Sequence, residues 1–225
     1  PPTRTEIFGY LDGQKQVEII ESCDPERAAL LITDMPADDR VDLLNAIDEE
    51  TATSVTSLVP LEERRDIQRL QAYPESTAGA MMTSEVAKLP ESLTVREALE
   101  ALSRIAEGLE TIYYIYIVDD ENPLRGAVSA RQLVTNLTKP NKPIRELMER
   151  DLVTVAATDD QEAVAEKVAD YDFPSIPVVD HEQRLVGVIT HDDVIDVVRE
   201  GATEDARRRA AVEPMGENYL EAPLT

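Results

Sequence analysis

Between Asp192 and Asp205, carboxylates recur at helical spacing. At about 100° per residue, Asp193, Asp196, Glu200 and Glu204 occupy about 80° of one face. Val194, Ile195, Val198 and Ala202 form an apolar stripe on the other side. Like charges three and four residues apart weaken a helix. The only basic residue of the stretch, Arg199, points away from the acidic face. Such a face is either solvated or faces a cation. The cation that fits is magnesium, a hard ion that takes oxygen ligands, needs one or two carboxylates and keeps several waters. A soft-metal cage does not fit, because the chain has one cysteine, Cys23, and two histidines, His181 and His191. No EF-hand loop is present. Scattered acids acting through water bind weakly and in a graded way, which suits sensing an abundant ion.

The charge of the whole chain supports this reading. The net charge is -24, unevenly spread: residues 1–72 hold 16 acids and 7 bases, residues 73–145 hold 10 and 8, and residues 146–225 hold 20 and 7. This balance excludes nucleic acid as a partner. Two carboxylates ~5 Å apart repel by roughly 3 kcal/mol at an effective dielectric near 20. If the two acidic regions fold against each other, a cation belongs between them.

The elements that position these acids follow from a repeat. Leu124-Arg125-Gly126-Ala127-Val128-Ser129 is echoed 61 residues later by Leu185-Val186-Gly187-Val188-Ile189-Thr190. An aliphatic pair and an aspartate precede each copy at the same offset, Ile117-Val118-Asp119 and Val178-Val179-Asp180. Helices are expected over 94–102, 131–137, 161–170 and from 192. Strands are expected over 112–118, 124–128, 153–155, 176–179 and 185–189, so each copy reads β-α-β-β-α. Residues 10–72 read as short helices. Asp24-Pro25, Met35-Pro36 and Val59-Pro60 mark starts with proline at the first helical position, and Asp48 caps a further helix between them. Leu30, Leu31, Leu43, Leu44, Ile47, Val55 and Leu58 supply apolar positions. Helices this short are stable only when packed on neighbours, as in a superhelix. The expected class is α+β: an N-terminal α-helical superhelical domain, two β-α-β-β-α repeats and a C-terminal connecting helix.

The repeat resembles the CBS domain, over about residues 80–200. The stretch Tyr73-Pro74-Glu75-Ser76-Thr77-Ala78-Gly79-Ala80-Met81-Met82-Thr83 resembles the segment joining the N domain to the first CBS domain in MgtE-type magnesium transporters. The runs 111–119, 169–173 and 202–205 are similar to that family as well. The resemblance implies a helical N-type domain over 1–72, a first CBS domain over 73–142, a second over 143–200 and a connecting (plug) helix over 201–225. It implies Mg2+ held by Asp39, Asp160, Glu162, the Ala169 carbonyl, Asp172, Asp193, Asp196, Glu204 and Asp205. Gly201 stands where the family often has a further acid, a place that Glu200 can take. It also implies a homodimer through the CBS domains and a transmembrane pore domain of the same polypeptide, at the cytoplasmic face of the membrane. The longest apolar or aromatic run, residues 112–118, is too short to cross a bilayer, and no leader is visible. The chain therefore reads as the soluble cytosolic part of a longer protein.

An alternative ligand is an adenine nucleotide. CBS modules often bind one with an Asp three residues after the Ser/Thr. Copy two has Thr190 and Asp193, whereas copy one has Ser129 and Gln132. Tyr114, Arg131 and Phe173 match positions that hold ATP in some MgtE proteins, and the two aromatics also fit ordinary core positions. No Gly-rich phosphate loop is present. An enzyme is not expected: there is no Cys–His pair, nucleophile elbow or hydride-cofactor fingerprint.

Overall fold

Six short helices open the chain in the computed structural model, which describes residues 4–109, 111–119, 123–171, 173–195 and 197–199. They are α1 (Arg4–Gly9), α2 (Gly13–Ser22), α3 (Pro25–Thr33), α4 (Ala37–Ala46), α5 (Glu49–Leu58) and α6 (Leu61–Leu70). From α3 to α6 each helix begins twelve residues after the last. The caps account for this spacing. Asp48 accepts a hydrogen bond from the Thr51 backbone N–H at 2.9 Å, and Asp12 does the same for Lys15 at 3.1 Å. Pro25 is the first residue of α3, as expected, but the Asp24 side chain makes no capping bond. Pro36 and Pro60 stand one residue outside their helices. Their carbonyls accept the first helical bonds, from Arg40 and Arg64, a role proline can fill because it needs no N–H.

Alternate helices pack on each other, α1 on α3 on α5 and α2 on α4 on α6. This buries Ile20, Ala28, Ile32, Val41, Leu44, Val55, Ile67 and Leu70. Leu30 and Leu58 do not join this core: they are 69% and 49% exposed. The phase of α3 turns Ala28, Ala29 and Ile32 inward and leaves Leu30 outside.

After the short helix α7 (Ala78–Met81) come the two repeats. The first is β1 (Lys88–Pro90), α8 (Val95–Ile105), β2 (Tyr114–Val118), β3 (Leu124–Ser129) and α9 (Ala130–Thr135). The second is β4 (Val155–Ala156), α10 (Gln161–Tyr171), β5 (Ser175–Val179) and β6 (Leu185–Thr190), followed by helical residues 191–195 and 197–199. In each sheet the first pair of strands is parallel and the second antiparallel. A register shift falls at the same place in both, Ile117/Val118 and Val178/Val179. The apolar run from 112 enters its strand only at Tyr114, because Ile112 and Tyr113 are exposed.

The repeats exchange their lead-in segments. Thr83, ahead of the first repeat, pairs with Val188 of the second through bonds of 2.9 and 3.0 Å. Glu149, ahead of the second repeat, pairs with Ala127 of the first through two bonds of 2.9 Å. The repeated glycine makes each approach possible. A Cβ on Gly187 would lie 2.6 Å from the Thr83 carbonyl oxygen, and one on Gly126 would lie 2.3 Å from that of Glu149. Because residues 77–83 lie on the second repeat, the helical domain and that repeat share one continuous core, running from Phe8 and Leu70 through Ala78 and Met82 to Ile189 and Val194. The first repeat keeps its own core around Ile115, Ile117 and Leu133. Gly187→Ala should lower stability to urea by roughly 1 to 3 kcal/mol through this overpacking. Gly108→Ala, whose added Cβ meets nothing within 4 Å, should stay close to the parent protein.

Candidate functional site

The shared core brings the first turn of α4 opposite the start of the helix after β6. The cleft between them has a volume of about 640 Å³. Asp38, Asp39, Asp42 and Glu75 line it from the helical-domain side and Asp193 from the second repeat. Asp38 is buried and Asp39 and Asp42 are exposed. Helical phase explains the set: residues 38, 39 and 42 share one side of α4, while Val41 and Leu44 turn into the core.

Asp193 has a structural task as well. One of its carboxylate oxygens accepts hydrogen bonds from the Thr190 backbone N–H at 3.1 Å and from the Thr190 hydroxyl. It therefore supplies the reciprocal half of a capping box, satisfying the N–H of Thr190 at the start of the helix beside it. Burial pushes its carboxyl up to about 6, against the lowering effect of the two Thr190 hydrogen bonds, and the negative charges of Asp192 and of Asp39 across the cleft push the same way. The cleft thus holds a carboxylate whose ionised form is disfavoured there. All of these carboxylate donors are hard oxygens, the set that suits a hydrated divalent cation. Among the described residues no three His, Cys, Asp or Glu side chains converge into a closed metal cage. The donors are spread across the cleft and fit an ion that keeps waters.

The other expected ligands divide into three groups. Asp160 and Glu162 are exposed at the start of α10 and do not line the cleft, although Asp160 forms a bridge with Thr77 and its carboxylate accepts the Glu162 N–H at 2.9 Å. Ala169 is exposed in the last turn of α10, where carbonyls lack helical partners. Asp172, Asp196, Glu204 and Asp205, with Glu200 and Gly201, lie outside the described residues. Asp38, Asp42 and Glu75 escaped the sequence reading, although the i, i+1, i+4 spacing of residues 38, 39 and 42 was there to be read.

A second cavity, of about 170 Å³, opens between the repeats. Tyr114, Ser129, Gln132, Phe173 and Ser175 line it, whereas Arg131 is exposed on α9 and does not. Gln132 is held on both sides. Its oxygen accepts from Ser129 N–H at 2.7 Å and its amide donates to the Leu147 carbonyl at 3.0 Å. Phe173 is stacked on Tyr171 at 5.3 Å. Deep in the wall the Tyr116 and Ser175 hydroxyls are 3.3 Å apart, and burial pushes the Tyr116 phenol up to about 12, so it acts as a neutral hydroxyl.

An acid-faced helical domain that shares its core with the second of two β-α-β-β-α repeats is the fold of a helical domain joined to a CBS pair. Known proteins agree. The family model of the MgtE intracellular N domain matches residues 1–76, and that of the CBS domain matches residues 78–139 and 144–200. The magnesium transporter MgtE of Thermus thermophilus is 38% identical over 96% of this chain and 48% of its own length. That of Bacillus subtilis is 35% identical over 92% of this chain and 46% of its own. The crystal structure of the cytosolic domain of the Mg2+ channel MgtE in complex with ATP has a TM-score of 0.80 at 38% identity, covering 86% of this chain and 78% of that one. A crystal structure of the soluble part of a magnesium transporter has a TM-score of 0.77 at 35% identity, covering 88% and 82%. The chain belongs to the MgtE family and corresponds to its cytosolic N domain and tandem CBS domains. It spans about half the length of the Thermus and Bacillus relatives, which are transporters and not enzymes. Among the described residues no helix is long and apolar enough to cross a membrane.

The raised Asp193 carboxyl gives a signed expectation. A carboxyl whose pKa is higher when folded costs stability above that pKa and relieves the cost as it takes up a proton. The contribution of Asp193 to the stability of chelator-treated protein should therefore rise as pH falls from about 7 toward 4. Asp193→Asn keeps a cap for the helix and removes the charge. It should stabilise the chelated protein at pH 8 by roughly 1 to 2 kcal/mol and flatten that pH dependence, both read by thermal melts.

Proposed function

We propose that this chain is the magnesium-sensing and gating region of a transporter of the MgtE type. Asp39 and Asp193 hold Mg2+ between the helical domain and the second CBS domain. Asp160, Glu162, the Ala169 carbonyl, Asp172, Asp196, Glu204 and Asp205 serve as further ligands. The observation that carries the reading is the confrontation of Asp39 with a half-buried Asp193 whose ionised form is disfavoured there. With the carboxylates neutralised, the two acidic faces stay together and the connecting helix is held over the pore of the same polypeptide at the cytoplasmic face of the membrane. When magnesium falls, the carboxylates repel and the helical domain withdraws. The closed arrangement must bind magnesium more tightly than the open one, since only a difference in affinity shifts the population. Val134, Leu137, Ile195 and Val198 are exposed apolar side chains on the CBS pair and offer a face for pairing with a second copy. Raising magnesium from zero into the millimolar range should lower the X-ray scattering radius and slow proteolysis between the helical domain and the CBS pair. An unchanged radius and cleavage rate would sink the gating reading.

The cavity between the repeats supports a second reading, an adenine-nucleotide site. The MgtE cytosolic domain solved with ATP is 38% identical to this chain. Tyr114 and Phe173 present aromatic surface to a base, and Ser129 and Gln132 present hydrogen-bonding groups. The stack on Tyr171 presets the Phe173 ring. Calorimetry should detect ATP binding that Phe173→Ala weakens roughly tenfold or more, the usual scale for a lost base stack. Equal affinities in the two proteins would remove Phe173 from the site.

A further inference from the structure

On the side of α4 away from the acidic cleft, two ties cross from the helical domain to the CBS pair. Arg40 is only 2% exposed. Its Nε donates to the Ile32 carbonyl at 2.9 Å, and its Nη2 lies 3.1 and 2.7 Å from the carbonyl oxygens of Thr33 and Met35. These bonds fix the guanidinium within the helical domain. The same Nη2 donates to Glu85 Oε1 at 3.2 Å. The neighbouring residue completes the exchange, because the Ser84 hydroxyl donates to the Asp66 carboxylate of α6. Ser84 and Glu85 directly follow Thr83, whose backbone is paired with Val188 of β6. Each body thus gives one donor and one acceptor, and both partners on the CBS side directly follow a paired residue.

We propose that Arg40–Glu85 and Asp66–Ser84 form a latch, independent of magnesium, that favours the closed arrangement and sets the magnesium concentration at which it forms. The second half of this statement rests on the magnesium-gating reading; the latch itself does not. Arg40 keeps its carbonyl partners when the bodies part, so Glu85 is the partner at stake in opening. Losing Glu85 while the bodies stay together leaves an N–H of the buried guanidinium without its acceptor, a penalty confined to the closed form. Asp66 and Glu63 also face Glu85, and Arg69 pairs with Asp66. Burial raises the Glu85 carboxyl, against the pull of Arg40. An amide at this position keeps an acceptor within reach of Arg40 and should serve the same tie.

Limited proteolysis of the whole chain tests the proposal. In EDTA, Ser84→Ala/Glu85→Ala should be cleaved between the helical domain and the CBS pair roughly 5- to 100-fold faster than the parent, the scale of two lost hydrogen bonds. Its magnesium midpoint for protection should rise at least about twofold, with a weaker response because closure involves more than one ligand. Glu85→Gln, which keeps an acceptor for Arg40, should behave as the parent does. Melts at saturating magnesium verify that the variants fold. A double variant cleaved at the parental rate, or Glu85→Gln cleaved as fast as Glu85→Ala, overturns the latch. If the parent shows no magnesium protection, the gating reading fails, and the EDTA rates still decide the latch.

Discussion

The arrangement of this module depends on where residues 77–83 are laid. Thr77 bridges to Asp160, Ala78 and Gly79 donate to the Asp159 and Ala157 carbonyls at 2.8 Å, and Thr83 pairs with Val188. All of these partners belong to the second repeat, although the segment precedes the first. The chain leaving α6 is therefore fastened to the far half of the pair, and the helical domain is carried with it. That attachment explains why the helical core continues into Ile189 and Val194 while Ile115, Ile117 and Leu133 of the first repeat form a core apart from it. It also explains why α4 meets Asp193 and not the equivalent residue of the first repeat. A Cβ on Gly79 would fall 2.9 Å from the Ala157 carbonyl oxygen, so the approach depends on glycine at that point too.

Opposed forces meet across that attachment. The continuous apolar core, the buried Arg40 and the Ser84–Asp66 bond hold the helical domain against the CBS pair. Asp38, Asp39 and Asp42 line the cleft together with Asp193, and the charge of Asp39 disfavours the ionised form of Asp193. Coulomb repulsion of a few kcal/mol between partly buried carboxylates is comparable to a handful of hydrogen bonds. In the gating mechanism proposed above, a modest change in charge at the cleft is what decides between them. A module whose faces met only through apolar surface would have no such sensitivity.

Much of this was legible in the sequence because it depends on local chemistry. Proline and aspartate starts mark the twelve-residue helix spacing. The glycine-bearing strand, the turn and the β-branched residues mark both hairpins. Asp39 and Asp193 could be placed by resemblance and are brought to one cleft. The exchange of lead-in segments was not legible, because pairing Thr83 with Val188 spans more than a hundred residues and leaves no local signature. The solvent-facing positions of Leu30 and Leu58 were missed because an apolar residue in a short helix does not reveal the helix's phase. Arg40 was invisible for a different reason. It stands between Asp39 and Val41 at an aspartate-rich helix start, and only the carbonyls ending α3 make its burial tolerable.

The duplication shows how the two halves came to differ in chemistry while keeping the same fold. Residue 132 and residue 193 occupy one structural position, three after the Ser or Thr that ends the last strand, and both supply the reciprocal half of the cap on the helix that follows. Capping needs only an acceptor, so an amide and a carboxylate serve it equally well. Gln132 adds a donor, spent on the Leu147 carbonyl, and brings no charge. Asp193 has no donor to spend and brings a negative charge to a partly buried cleft opposite Asp39. The helix cap therefore tolerates either residue, and the surroundings decide what each does. In the first repeat the position closes a neutral network beside the aromatic cavity. In the second, the attachment of residues 77–83 has placed an acidic helix in front of it, and the same capping geometry becomes one wall of a charged cleft.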